Sequence, residues 1–125
     1  MEILKTPIDV NILKIQIGVE KDEAAHQVTG AVELDIENQS YFVDTVNAIF
    51  EEGARKVLVD MSNVTYIDSS GLWALFEGHK KATQKNSTMA LMNVTKDVKR
   101  VLDITKMSSK LSIFENEESA VNSLK

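Results

Sequence analysis

The chain has 125 residues, is 43% hydrophobic and 26% charged, and carries a net charge of −5; this suits one globular domain with a core that needs no cross-links. The absence of cysteine excludes disulfide scaffolds, thiolate metal sites and cysteine nucleophiles. The acidic balance, with no lysine/arginine block or aromatic-basic stripe, argues against nucleic-acid binding.

No apolar run reaches the roughly 18 residues of a membrane span. Met1–Val10 has one lysine and no long apolar core, so it does not read as a signal peptide. The expected setting is cytoplasmic. The two histidines, His26 and His79, are too far apart in sequence to form an H-x-x-x-H pair, and no metal is expected. No repeat, low-complexity tract or linker divides residues 1–125, so a single domain is expected.

Ile12–Val19 alternates with period two from Leu13 onward, putting Leu13, Ile15, Ile17 and Val19 on one face of a strand, with Ile12 the apolar residue out of phase. Glu20-Lys21-Asp22-Glu23 reads as a polar turn, and Ala25–Leu34 as a second strand antiparallel to the first, with Gly30 as a bulge or turn point. Phe42, Val46, Ile49 and Phe50 follow helical spacing; Asn38 or Ser40 is positioned to cap that helix and Gly53 to end it. Lys56–Met61 contains Val57-Leu58-Val59, the pattern of a strand covered on both faces.

A short loop then leads to a helix over Gly71–Lys85, with Leu72, Leu75, Phe76 and His79 on one face. Thr88–Val94 is expected as a strand, and Lys96–Met107 as a helix using Val98, Val101, Leu102 and Thr105. Leu111–Phe114 follows as a brief strand and Glu117–Leu124 as a last helix with Ala120, Val121 and Leu124 inward. Strands alternating with about four helices predict an α/β fold with a mixed, mostly parallel sheet and an antiparallel N-terminal pair.

The most informative stretch is Val57–Leu75, where a buried strand leads to Asp68-Ser69-Ser70-Gly71 at a helix start. Free backbone N–H groups and the helix dipole favour negative charge there, so a phosphate on a serine would meet a partly prepared site. Two readings of Ser69 and Ser70 stand side by side: helix caps or a modification site. Asp68 either orients a serine or supplies N-terminal charge, Asp60 suits loop fixation through backbone N–H groups, and Gly71 suits close packing.

Val57–Leu75 resembles the signature of the STAS domain (sulfate transporter and anti-sigma factor antagonist), especially the small bacterial anti-sigma factor antagonists. Asp60, Ile67 and Asp68-Ser69-Ser70-Gly71-Leu72 carry the likeness; Val98–Thr105 is similar to the family's later helix, and Val28-Thr29-Gly30 to a polar-glycine step in its second strand. The resemblance covers essentially the whole chain in order.

It implies a STAS fold and a binding protein rather than an enzyme. Ser69 would receive phosphate from an anti-sigma factor that is also a serine kinase using ATP and magnesium. Unphosphorylated protein would sequester that kinase, freeing the sigma factor; phosphorylation would release it, and a metal-dependent serine phosphatase would reset the switch. Asp68, Ser69, Ser70, Gly71 and Trp73 are the expected partner-binding residues, Asp68 also being placed to meet a kinase-bound magnesium. No cofactor of the protein's own is implied, and the chain is expected to be monomeric or weakly self-associating.

Two departures from the family pattern stand out. Trp73 occupies a position where a small residue is common, as an exposed anchor or as cover for a neighbouring helix. Gly30-Ala31-Val32-Glu33-Leu34-Asp35 is longer than the usual glycine-to-aspartate step. The alternative function is a STAS interaction or scaffold module in another signalling complex. A serine hydrolase is disfavoured: there is no G-x-S-x-G motif, and His79 lies more than two helical turns beyond Ser69.

Overall fold

Val57, Leu58 and Val59 are fully buried at the middle of a five-stranded sheet. Consecutive strand residues face opposite sides, so an unbroken apolar run requires cover on both. The computed structural model describes residues 1–125. Its elements are β1 (Glu2–Pro7), β2 (Ile12–Gly18), β3 (Glu20–Asp22), β4 (Gln27–Thr29), β5 (Val32–Leu34), α1 (Gln39–Glu51), β6 (Lys56–Asp60), β7 (Val64–Ile67), α2 (Ser69–Gln84), β8 (Thr88–Met92), α3 (Lys96–Ile104), a 3₁₀ turn (Met107–Ser109), β9 (Ser112–Phe114) and α4 (Glu117–Leu124).

The main sheet has the order β1-β2-β6-β8-β9. β1 and β2 are antiparallel, and the other neighbours are parallel. Ile15, Ile17, Val57, Val59, Met89 and Leu91 join residues of α1, α2 and α3 in one apolar cluster. On the opposite side Ile12, Leu58, Ala90 and Met92 meet Ala120 and Leu124 of α4. Thus the alternation from Leu13 to Ile17 holds, and Ile12 is out of phase because α4 covers its face. Val19 lies beyond the strand and is exposed.

Several boundaries differ from the sequence reading. The antiparallel pair at the N-terminus is β1 with β2, because Glu2–Pro7 forms an edge strand that its mixed polarity conceals. Glu20–Asp22 is a strand paired with Gln27–Thr29, and the turn lies in the residues between, where His26 takes a left-handed φ of 51°. Ala25–Leu34 is not one strand: Gly30, at φ 95°, separates β4 from β5. The segment expected as a short loop before Asp68 contains β7, which pairs in parallel with β5.

Helix α1 ends in a Schellman arrangement, Gly53 N–H donating to Phe50 O and Ala54 N–H to Ile49 O, with Gly53 at φ 99°. Asn38 occupies its N-cap position but its side chain makes no capping bond. Asn38 Oδ1 instead accepts from Asp35 N–H at 2.9 Å, and Asn38 Nδ2 donates to Glu33 O at 2.7 Å. Helix α3 stops at Ile104, where Lys106 turns left-handed at φ 63° and Met107 enters the 3₁₀ turn.

The buried face of α2 consists of Gly71, Ala74, Leu75, Gly78 and Ala82. Leu72, Phe76 and His79 are only half-buried beside it, so the expected inward face is rotated. Small residues win the central stripe because α2 packs closely: a Cβ on Gly78 would lie 2.7 Å from Met89 Sδ and 3.4 Å from Val46 Cγ1.

Candidate functional site

The site forms where the two-stranded β5/β7 sheet meets the first turn of α2. β7 delivers the chain through buried Ile67 to Asp68, whose φ of −97° and ψ of −172° remain extended. Asp68 is the N-cap. Its Oδ1 accepts from Gly71 N–H at 2.8 Å, and its backbone carbonyl accepts from Leu72 N–H at 2.9 Å. The aspartate therefore performs the capping for which the serines were also considered, leaving both serine hydroxyls free of that task.

Asp68 also joins two separate segments. Its Oδ2 accepts from Ile36 N–H at 3.2 Å, and its own N–H donates to Leu34 O at 3.3 Å. The β5–α1 loop is thereby fixed against the start of α2. Gly71 completes the joint: a Cβ there would stand 2.1 Å from Leu34 O, inside any permissible contact. Its role in close approach is thus explicit, although it lies in ordinary helix and has no need of glycine's left-handed conformations.

Ser69 is the first residue of α2 and is exposed; Ser70 is half-buried. Trp73, one turn along, is 50% exposed. Ser69 and Trp73 share a shallow groove of about 300 Å³ with Leu72, Phe76, Met107 and Lys110. Of the two placements considered for Trp73, the exposed one is found. Ile36, whose backbone N–H is bound by Asp68, is 67% exposed. Tyr66, near the end of β7, is also exposed.

Asp60 holds the turn after β6: its Oδ1 accepts from Ser62 N–H at 3.0 Å and Asn93 Nδ2 at 3.2 Å. Asn63 reinforces the same end of the sheet by donating to Ile17 O and Val28 O, both at 2.9 Å. Asn63, Ile36 and Lys110 are not marked by any sequence motif. Ile36 carried a signal, as the one apolar residue inside the polar run Asp35–Ser40. Lys110 carried none, because it shares a groove with Ser69 only through tertiary packing.

No group of three or more His, Asp or Glu side chains converges as a metal site. His79 is ten residues beyond Ser69 on α2, about 15 Å by helical rise, and is out of reach of the serine proton. Its Nδ1 is buried without a hydrogen-bond partner. No helix is long and apolar enough to cross a membrane.

The STAS domain model matches residues 16–120. The chain is 30% identical over 77 residues to the anti-sigma F factor antagonist of Paenibacillus polymyxa, covering 62% of this chain and 66% of that protein. Similarity to the anti-sigma-B factor antagonist of Staphylococcus aureus is 25% identity over 107 residues, covering 85% and 98% respectively. Among solved structures, the anti-sigma factor antagonist SpoIIAA of Bacillus in its unphosphorylated form aligns with a TM-score of 0.73 at 14% identity, over 98% of this chain and 96% of that one. SpoIIAA is also known in its phosphorylated form, which aligns with a TM-score of 0.67. At such identity the structural likeness establishes the fold, and the family match extends it to descent: the chain belongs to the STAS domain family.

Proposed function

We propose that this protein is an anti-sigma factor antagonist that works in the cytoplasm by phosphorylation-switched binding. Unphosphorylated, it sequesters an anti-sigma factor that is also a serine kinase; phosphate on Ser69 releases that partner, and a metal-dependent serine phosphatase restores binding. The role is that of a binding protein and a kinase substrate, with no chemistry of its own.

The observation that carries this reading is that Ser69, exposed at the start of α2, shares a groove with the exposed Trp73 on a framework fixed by Asp68. Apolar anchors of this kind dominate protein interfaces. A phosphate adds a charge of about −1.5 to −2 beside that anchor, and burying it against a partner without a cation is costly. Each 1.4 kcal/mol or so of such cost is tenfold in affinity, so release needs no large conformational change. The names of the curated relatives supply the partner class. Trp73 favours a second reading, an interaction module for a different signalling partner, because an indole beside Ser69 changes the shape offered to the usual one.

The test mixes wild type and Ser69→Ala with the anti-sigma factor kinase, ATP and magnesium, mapping phosphate by peptide mass while following the complex. Phosphate on Ser69, with wild type released and Ser69→Ala retained, is expected. Stable binding without phosphorylation points to the interaction module, and absence of binding rejects the partner class.

A further inference from the structure

We propose that Lys110 captures the phosphate of phosphorylated Ser69 within the same chain, so that the modified side chain straps the groove beside Trp73. This rests on the reading that Ser69 carries phosphate, and adds what that phosphate meets.

One wall of the groove is the first two turns of α2, with Ser69, Leu72, Trp73 and Phe76; the other is Met107 and Lys110. Lys110 is the only charged residue lining it. It is exposed, and its ammonium takes part in none of the molecule's ion pairs. The unmodified hydroxyl is short and neutral, and gives a lysine little to hold. A phosphoryl group projects further, adds nearly two negative charges and brings three acceptor oxygens. The flexible four-carbon stem of a lysine is suited to follow it.

The backbone that carries Lys110 is well anchored. Lys110 N–H donates to Met107 O at 2.9 Å, Leu111 N–H to the same carbonyl at 3.1 Å, and Ser109 Oγ to Lys106 O at 2.8 Å. Leu111 is buried. Asp103, at the end of α3, has its carboxyl held below the usual range by hydrogen bonds from Lys99 and then Ser108, so the turn is tied to the helix before it. On the opposite wall, the nearest carboxylate to Ser69 along the chain is Asp68, and both its oxygens already accept backbone N–H bonds. That partial compensation reduces its repulsion of a neighbouring phosphate.

A Ser69–Lys110 bridge would cross the groove over Leu72 and Trp73. It would occupy the space a partner's apolar side chain enters, in addition to presenting charge. Phosphorylation would then exclude the partner sterically as well as electrostatically.

The test uses full-length protein with phosphoserine installed at position 69 during translation, which needs no kinase. The phosphate is titrated by ³¹P NMR in the wild-type, Lys110→Gln and Lys106→Gln backgrounds, with thermal melting to confirm folding. Its second ionisation is expected about half a pH unit lower with Lys110 present than in Lys110→Gln. The difference should vanish in 1 M salt, and Lys106→Gln should match wild type. Acrylamide quenching of Trp73 should slow on phosphorylation, and not in Lys110→Gln. Identical titrations in wild type and Lys110→Gln, or an equal effect of Lys106→Gln, overturn the proposal. Because the phosphate is supplied genetically, that result counts against the strap alone, whereas failure of the kinase to modify Ser69 counts against the switch.

Discussion

At the scale of single residues, Asp68 does more than its place beside Ser69 suggests. One carboxylate oxygen caps α2 through Gly71 N–H and the other fixes Ile36 N–H. Losing an N-cap carboxylate costs about 1 kcal/mol, and a second charged hydrogen bond is lost with it. Asp68→Ala is therefore expected to lower stability by about 1–3 kcal/mol in denaturant melts and to speed hydrogen exchange at Ile36. A variant that melts normally while its Ile36 amide stays protected would show that Asp68 does not join the two segments. Since Asp68 supplies the cap, the helix does not depend on the Ser69 hydroxyl for its N-terminal partner.

At the scale of elements, α2 is set by glycines whose demands differ. A Cβ at Gly71 meets a backbone carbonyl, Leu34 O at 2.1 Å, and backbone cannot move aside without disturbing β5. At Gly78 the obstacle is the flexible Met89 side chain, with Sδ at 2.7 Å and Cε at 3.1 Å. Alanine gains about 1 kcal/mol of helix propensity over glycine at either site. Gly71→Ala is therefore expected to destabilise by about 1–3 kcal/mol net, and Gly78→Ala to fall within about 1 kcal/mol of wild type. Chemical denaturation of both variants checks this; equal costs would mean that the strand–helix contact at Leu34 is no tighter than the methionine contact.

At the scale of the molecule, α1 and α2 are joined across their ends by Glu51. It pairs with Lys85 at 3.2 Å and with Lys81. Hydrogen bonds from Lys81 and then Lys85 hold the Glu51 carboxyl below its usual value of 4.5. A carboxylate depressed in the folded state contributes stability above its unfolded pKa, and loses it as pH falls through the lower folded value. The melting-temperature gap between wild type and Lys81→Met/Lys85→Met should thus be constant near neutrality, close progressively below about pH 4.5, and shrink in 1 M salt. A gap independent of pH would assign it to packing of the lysine stems.

The sequence by itself determined the parts that depend on local pattern. Helical spacing at Phe42, Val46, Ile49 and Phe50 gave a helix that buries those side chains, and the unbroken Val57-Leu58-Val59 run required cover on both sides of the sheet. Glu117–Leu124 matches its observed bounds, and Asp68-Ser69-Ser70-Gly71 marked the helix start that forms. Tertiary structure decided whatever depends on a distant partner. Edge strand β1 is of mixed polarity and β5 has only three residues; these strands and β7 are defined by the neighbours that share their hydrogen bonds. The inward face of α2 is set by how closely Leu34, Val46 and Met89 approach, which favours glycine over the more hydrophobic Leu72 and Phe76. Lys110 stands in the Ser69 groove because the turn after α3 packs there; periodicity reports which face of an element is apolar, but not which remote charge will be brought against it.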